Sequence, residues 1–327
     1  MKLISHYRDN DLLRNSFIDL AHEIFGINFS SWHELGYWGN RYIPYSYADG
    51  DKIVANVSVN KLDFIIEGAS CRALQIGTVM THPDYRSKGL SAILMNHILE
   101  EYKDQYDFMY LFANDSVLDF YPKFGFERVE ESLYTVKSPS GFEVESQETV
   151  NPSSNTVAGS NYPEYQSSGF AKESESASAY SEKLLRKLDI SNTKDLQLVE
   201  KMVSERMPVS KVFGTANSGC ISMFHVLNVF PESLYYSEQE DAVIIFSKEE
   251  RTVHLIDLVS KSPINIEKIL AAIADGVTNE IVFHYTPDYQ ELEYSLSPFE
   301  REGALFVKIN GSLSFPLHAK HPVTSEA

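Results

Sequence analysis

A short loop between an apolar strand pattern and an apolar helix pattern has residue types suited to holding an anion. The segment HPDYRSKGLSAILM spans residues 82–95 and carries Arg86, Lys88, Gly89 and Ser91. The first N–H groups of a helix have no acceptor within the helix, and the helix dipole adds positive potential at that end. Phosphate is the usual ligand there, and the small residues Gly89 and Ser91 leave room for it. The spacing matches neither the P-loop nor the dinucleotide-binding fingerprint, and an ordinary strand-to-helix connection is the alternative.

The composition narrows the classes of function. The 327 residues carry a formal net charge of −18, whereas nucleic-acid and anionic-membrane partners require clustered Lys and Arg. The two cysteines, Cys71 and Cys220, lie in different halves and do not provide a disulfide framework or a cysteine metal site. No apolar run is long enough for a membrane span. We therefore expect a soluble, reduced, cytoplasmic protein with no metal ion and with neither nucleic acid nor membrane as a partner.

The first part of the chain has the pattern of helices, antiparallel strands and one strand–helix–strand unit. Apolar residues at helical spacing over residues 11–25 predict a helix, and alternation over residues 51–80 predicts two or three antiparallel strands. A helix over residues 89–102 and an apolar strand over residues 107–114 follow. A short helix at SVLDFYPKFG and a final strand pair that begins at FERVEESLYTV are predicted next.

A Ser- and Glu-rich stretch separates two predicted domains. Residues 138–182 hold few aliphatic side chains and cannot bury enough apolar area to offset chain entropy, so we expect a flexible linker. The first domain is predicted over residues 1–137 and a second α/β domain over residues 183–327. The order of elements in the second domain repeats that of the first. This indicates either an internal duplication with a degenerate second copy or the general frequency of strand–helix–strand units.

The loop at Arg86-x-x-Gly89-x-Ser91 resembles the R/Q-x-x-G-x-G/A loop with which the GNAT superfamily of N-acetyltransferases holds the pyrophosphate of acetyl-CoA. Ser91 departs from the Gly or Ala that the family prefers. The resemblance covers roughly residues 50–137, is closest to an uncharacterised bacterial branch with a long C-terminal extension, and implies an α/β fold with a mixed, mostly antiparallel twisted sheet flanked by helices. The downstream residues spaced like the family's N-x-x-A-x-x-x-Y-x-x-x-G-F segment are Asn114, Val117, Tyr121, Gly125 and Phe126.

The resemblance also implies how acetyl-CoA would bind. The pantetheine arm would lie along the strand at Thr78, Val79 and Met80, in a gap between the two central strands, and pair with it as an added strand would. Asn114 would bond near the pantetheine, and Tyr121 would point at the thioester sulfur. The main-chain amides implied for the pyrophosphate are those of Arg86, Ser87, Lys88, Gly89, Leu90 and Ser91.

Direct transfer of an acetyl group to an amine requires a general acid, a donor to the thioester carbonyl and a base. The Tyr121 hydroxyl is the predicted general acid for the leaving thiolate, and a main-chain N–H near Val79 or Met80 would polarise the thioester carbonyl. His82 is a candidate base that would take the proton of the amine. Glu34 and a chain of waters are the alternatives for the base.

An aromatic-rich segment precedes the strands, where this superfamily often places the acceptor. Aromatic walls with nearby carboxylates would suit an amine or a cationic substrate, whereas the alternative is a hydrophobic lid packed on the sheet. We expect at most one or two of these side chains to touch substrate. The five residues are Trp32, Tyr37, Trp38, Tyr42 and Tyr45.

The second domain lacks a glycine-containing counterpart of the Arg86–Ser91 loop. Lys261 and Ser262 could meet an anion, but Pro263 removes a donor that the site would need. We therefore predict that this copy does not bind CoA. It could instead cover the open end of the first domain, shape the acceptor pocket or form a homodimer contact.

The leading hypothesis is an acetyl-CoA-dependent N-acetyltransferase whose acceptor is a small amine or a protein amine. A non-catalytic acyl-CoA-binding regulatory module is the alternative. A structural or interaction protein is a third hypothesis, against which the loop argues.

Overall fold

Two twisted sheets, each flanked by helices, form the part of the chain that the computed structural model describes, residues 1–138 and 185–327. Apart from residue 138, the predicted linker lies outside these residues. None of the helices in the two described ranges is long and apolar enough to cross a membrane.

The first half contains three helices and seven strands. In chain order they are β1 (Lys2–Ser5), α1 (Asp11–Phe25), α2 (Ser30–Glu34), β2 (Tyr42–Asp49), β3 (Lys52–Ile66), β4 (Ala69–Thr81), α3 (Leu90–Tyr102), β5 (Phe108–Ala113), β6 (Glu127–Val129) and β7 (Ser132–Lys137). Short 3₁₀ turns lie at Pro83–Tyr85, Asp115–Val117 and Tyr121–Phe124.

Three helices and eight strands follow within residues 185–327. In chain order they are β8 (Arg186–Lys187), α4 (Thr193–Glu205), β9 (Phe213–Ala216), α5 (Gly219–Asn228), β10 (Leu234–Ser237), β11 (Ala242–Glu249), β12 (Thr252–Ser260), α6 (Ile266–Ile273), β13 (Glu280–Phe283), β14 (Ser295–Pro298) and β15 (Ala304–Ile309). A last 3₁₀ turn lies at Val323–Ser325.

Both sheets are mostly antiparallel, with one parallel pair each. The first sheet has the order β1-β2-β3-β4-β5-β15-β6, and β9 pairs with β3. The second sheet has the order β14-β7-β13-β12-β11-β10-β8. The parallel pairs are β4 with β5 and β12 with β13, and a helix joins the two strands of each pair. This confirms the predicted fold class, and the second sheet repeats the strand–helix–strand order of the first.

The two sheets exchange strands. The strand β7, which ends the predicted first domain, pairs with β13 and β14 in the second sheet. In return, β15 from the second half lies between β5 and β6 of the first sheet. The position of the domain boundary stays a prediction, but hydrogen-bonded strands cross it in both directions.

Helices cover both faces of the first sheet and so leave its edges and strand ends for binding. Phe17, Leu20 and Ala21 of α1 are buried on one face, where Trp32 and Trp38 join the same apolar cluster. Asn10 caps the N-terminus of α1, where its side chain accepts from the N–H of Leu13. On the opposite face, the side chains of α3 that pack on the sheet are Leu94, Met95 and Ile98.

The short helix predicted at SVLDFYPKFG is instead two 3₁₀ turns. Pro122 has no N–H to donate in a helix, and Gly125 ends the second turn with a φ of 80°. The turns place Tyr121 and Phe126 against the sheet, where both are buried.

Candidate active site

The central strands of the first sheet part from one another. β4 and β5 pair in parallel over Ala73–Gln75 and Phe108–Tyr110. Beyond these pairs β4 continues to Thr81 and β5 to Ala113, and within the described residues the two strands share no further pairing. A gap therefore opens between the two strands beside Thr78, Val79 and Met80, and the predicted place of the pantetheine arm along it stays a prediction.

A β-bulge lies in β4 along this gap. Gly77 pairs with Ser58 of β3, and Met80 pairs with Asn56, so that Thr78 and Val79 together oppose Val57. Thr78 has a φ of 47°, which is rare for a β-branched residue. The bulge turns main-chain groups of Thr78 and Val79 out of the regular ladder.

The loop after β4 presents free main-chain donors. Within the described part of the chain, the N–H groups of residues 87–91 donate to no protein acceptor, whereas that of Arg86 donates to the carbonyl oxygen of Pro83 at 3.2 Å. Gly89 is the N-cap of α3 with a φ of 72°, and a Cβ there would have open space around it. The positive φ of Ser87, 60°, completes the tight turn. The predicted anion site therefore has five adjacent donors at a helix N-terminus.

Side chains of the same loop lie beside these donors. The Ser91 hydroxyl is 2.9 Å from that of Thr81, and Arg86 Nε donates to the Thr81 carbonyl at 3.4 Å. Lys88 Nζ donates to the Asp84 carbonyl at 3.1 Å and lies over the Tyr85 ring. A cavity of about 260 Å³ adjoins the loop, with Phe120 on its other side.

Tyr121 is buried, with 4% of its surface exposed. Its ring contacts Phe120, Phe126 and Phe306, with centroid distances of 5.1, 6.4 and 5.9 Å. Burial raises the pKa of Tyr121 to about 12, so the hydroxyl keeps its proton at neutral pH. Phe306 lies on the exchanged strand β15, which the sequence pattern could not have placed here.

Asn114 and His82 each contact neighbours in their own loops. The Asn114 side chain accepts from the N–H and the hydroxyl of Ser116, both at 3.0 Å, and caps the turn at Asp115–Val117. His82 lies just after β4, with Nε2 2.9 Å from Lys52 Nζ and Nδ1 accepting from the N–H of Asp84. Glu34 is exposed at the end of α2. Their predicted roles stay predictions.

The aromatic segment is mainly core. Trp32 and Trp38 stack at a centroid distance of 5.6 Å and are buried, and Tyr45 is buried on the opposite face beside Tyr102. Tyr37 is half-buried. Of these five residues, Tyr42 is the one whose side chain bonds to β4, because its hydroxyl is 2.5 Å from Thr78 Oγ1.

A segment from the second half lies beside the bulge and was missed by the sequence analysis. Gln75 Nε2 donates to the Ala327 carbonyl oxygen at 3.3 Å, and a Cβ at Gly77 would come within 2.9 Å of that oxygen. Arg301 holds the side chain of Glu326 at 2.9 Å. The polar Gln75 and small Gly77 inside an otherwise apolar strand were the available signal.

The corresponding loop of the second sheet is occupied by the protein itself. The N–H of Asn265 donates to the Glu240 carboxylate at 2.8 Å, and that of Ser262 donates to Ser260 Oγ at 3.1 Å. The Asn265 side chain accepts from the N–H of Lys268. A carboxylate thus lies at the helix N-terminus where the first sheet has free donors.

Within the described ranges, no group of three or more His, Cys, Asp or Glu side chains is arranged to hold a metal ion.

Comparison with known proteins finds a family model that matches part of the first half of the chain. Residues 15–129 match the family model described as an acetyltransferase (GNAT) domain. No curated protein matched the sequence.

Two solved structures are similar over both sheets. One is a conserved protein of unknown function from Enterococcus faecalis V583, described as a probable N-acyltransferase, with 12% identity, a TM-score of 0.55 and coverage of 94% of this chain and 72% of that chain. The other is Eis1 from Mycobacterium abscessus, with 10% identity, a TM-score of 0.52 and coverage of 94% of this chain and 73% of that chain. At these identities the likeness shows a shared fold.

Proposed function

We propose that this chain, whose residues 15–129 match a GNAT acetyltransferase domain, transfers the acetyl group of acetyl-CoA to an amine. The observation that carries the proposal is the run of free main-chain donors at residues 87–91, which directly follows the stretch of β4 that no longer pairs with β5 within the described residues. A CoA thioester carries a pyrophosphate, which the donors could bind, and an extended pantetheine arm, which could lie along the free edge of β4.

The loop and the gap would divide the binding of acetyl-CoA between them. The N–H groups of Ser87–Ser91 would hold the pyrophosphate, with Arg86 and Lys88 adding positive charge. The pantetheine amides would pair with the main chain of Thr78–Met80, because β5 has left that edge of β4 free.

The chemistry would proceed by direct attack. The amine nitrogen attacks the thioester carbonyl carbon, and the main-chain N–H at the bulge stabilises the charge that develops on oxygen. The carbon–sulfur bond then breaks, and the Tyr121 hydroxyl donates its proton to the leaving thiolate. The nitrogen loses a proton to a base or to water, and solvent returns a proton to Tyr121.

Two measurements test this proposal. The first is calorimetric titration with acetyl-CoA and with CoA, and the second is an assay of thiol release with a panel of small amines and peptide amines. Binding together with amine-dependent thiol release supports an acetyltransferase. Binding without thiol release from any amine would favour a non-catalytic acyl-CoA-binding module. An absence of binding at millimolar ligand would overturn both.

A further inference from the structure

The bulge in β4 is strained, and buried polar side chains surround it. Thr78 combines a branched side chain with a φ of 47°, a strained conformation that persists only where the surrounding structure imposes it. Polar residues buried near it include Tyr7, Tyr42, Ser46, Asn56 and Ser58.

Two of these side chains hold Thr78 by different atoms. The Tyr42 hydroxyl is 2.5 Å from Thr78 Oγ1, and Asn56 Nδ2 donates to the Thr78 carbonyl oxygen at 2.8 Å. Tyr42 and Asn56 are themselves buried, with 4% and 0% of their surfaces exposed. Thr78 is therefore fixed at its side chain and at its main chain.

Further hydrogen bonds orient Asn56. Its Oδ1 accepts from Ser46 Oγ at 2.8 Å, and its Nδ2 also donates to Ser58 Oγ at 2.9 Å. The Ser46 hydroxyl is in turn 2.6 Å from that of Tyr7. Because polar groups are costly to bury without partners, a chain of satisfied bonds strongly favours one arrangement of Asn56.

The hydrogen bond from Asn56 to the Thr78 carbonyl oxygen also sets the direction of the Val79 N–H. A trans peptide is planar, so its N–H points opposite to its C=O. With the Thr78 oxygen directed at Asn56 of β3, the Val79 N–H points away from Asn56. β5 no longer pairs with β4 at this position within the described residues, so the gap lies on that side.

We propose that Asn56 and Tyr42 are positioning residues for acetyl transfer, which hold the Thr78–Val79 peptide so that its N–H meets the acyl carbonyl. This inference rests on the proposed function. The two side chains act through the bulge and need not touch acetyl-CoA. An N–H that is already fixed before binding needs no reorganisation during the reaction, and this is the source of its catalytic effect.

The substitutions Tyr42→Phe and Thr78→Val each remove one end of the Tyr42–Thr78 bond and keep the shape of the side chain. Thr78→Ser keeps the hydroxyl and is the conservative variant. Tyr45→Phe is the matched control, because Tyr45 is also a buried tyrosine of β2 whose hydroxyl is bonded, in its case to Tyr102 at 2.8 Å and away from the bulge.

The readout is the ratio of the dissociation constants of CoA and acetyl-CoA, measured by calorimetry on the full chain, because CoA lacks the acyl carbonyl. In Tyr42→Phe and in Thr78→Val, the affinity for acetyl-CoA should fall about tenfold relative to the affinity for CoA. A loss of this size corresponds to one well-placed hydrogen bond. The affinity for CoA itself should change less than about twofold. Thr78→Ser and Tyr45→Phe should retain the wild-type ratio.

Two results would overturn the inference. One is an unchanged ratio in both Tyr42→Phe and Thr78→Val. The other is an equal loss of CoA and acetyl-CoA affinity that follows the loss of thermal stability, which would mark the network as purely structural. Failure of the wild-type chain to bind either ligand would instead show that the proposed function is wrong, and the inference would fall with it.

Discussion

Tyr121 combines a buried ring with a hydroxyl that keeps its proton, and its substitution is the sharpest test of the proposed chemistry. In Tyr121→Phe the ring contacts with Phe120, Phe126 and Phe306 remain, so the fold and the affinity for CoA should be preserved. General acid catalysis is worth about 100-fold or more, and kcat should fall by that factor. An unchanged kcat in a thiol-release assay would show that the acid is another group.

The raised pKa of Tyr121 also predicts the alkaline side of the pH profile. A solvent-exposed tyrosine ionises near pH 10, but burial raises the pKa of Tyr121 to about 12. A group that acts as an acid works only below its pKa, so Tyr121 should cause no fall in kcat/KM up to about pH 10.5. A measured fall centred near pH 10 that disappears in Tyr121→Phe would contradict this burial argument.

At this scale the sequence could predict only residues within local motifs. Gly89 and Tyr121 stand at spacings that are characteristic by themselves. Tyr42 was one of five aromatic candidates, and nothing in its neighbourhood reveals that its hydroxyl meets Thr78, 36 positions away. Contacts of this kind depend on the register between β2, β3 and β4, which the alternation of side chains does not determine.

At the scale of elements, Gly89 in the loop before α3 and Gly50 in the turn between β2 and β3 form a matched pair. Gly89 and Gly50 have similar positive φ values, 72° and 64°, and a Cβ at either would meet nothing within 4 Å. Substitution by alanine should therefore cost each variant a similar stability, about 1 kcal/mol, for the left-handed backbone. CoA affinity should fall at least tenfold in Gly89→Ala alone, because only this Cβ lies among the free donors.

Calorimetry with CoA, beside thermal unfolding of both variants, checks this expectation. If Gly50→Ala and Gly89→Ala weakened CoA binding equally, the loss would reflect general destabilisation. The anion site would then have to lie elsewhere.

The second strand–helix–strand unit predicts the stoichiometry of binding. The Glu240 carboxylate and Ser260 hydroxyl already accept from the N–H groups of Asn265 and Ser262. The pyrophosphate of CoA would have to displace the Glu240 carboxylate and would be repelled by its negative charge. Titration should therefore give one CoA per chain, and a second site of comparable affinity would contradict the assignment.

The helices α1 and α3 and the strands β3, β4 and β5 could be predicted from the sequence because hydrophobic periodicity is local. The pairing partners could not. The apolar pattern of β15 is typical of any core strand, and only the assembled molecule places it between β5 and β6. The short helix predicted before β6 is present as two 3₁₀ turns, because Pro122 has no N–H to donate in a longer helix.

For the whole molecule, a buried ion network lies where the chain crosses between the sheets. Glu131 follows β6 of the first sheet and precedes β7 of the second, whereas Arg301 precedes β15 on its return. Arg301 and Lys320 approach the Glu131 carboxylate at 2.9 and 3.1 Å. Removing one partner of such a network leaves buried charges uncompensated and should destabilise the fold strongly.

Acid should therefore destabilise the molecule in two stages. Burial alone would raise the pKa of Glu131, but Lys320 and Arg301 outweigh it and lower the pKa to about 2. Burial lowers the pKa of His321 to about 4, and its Nε2 has no hydrogen-bond partner within the described residues. At each group the unfolded chain binds the proton at a higher pH than the folded chain, so stability decreases as pH falls.

The two stages occupy different pH windows. The free energy of unfolding should first fall between about pH 6.5 and 4, as His321 and the other buried histidines, His225 and His284, are protonated in the unfolded chain, and again between about pH 4.5 and 2 through Glu131. Urea unfolding at intervals from pH 7 to 3 measures both. In His321→Phe, whose ring would lie among Tyr110 and Phe112, the first fall should shrink and the second should remain. A wild-type stability that is constant from pH 7 to 3 would mean that the crossover is not held by these charges.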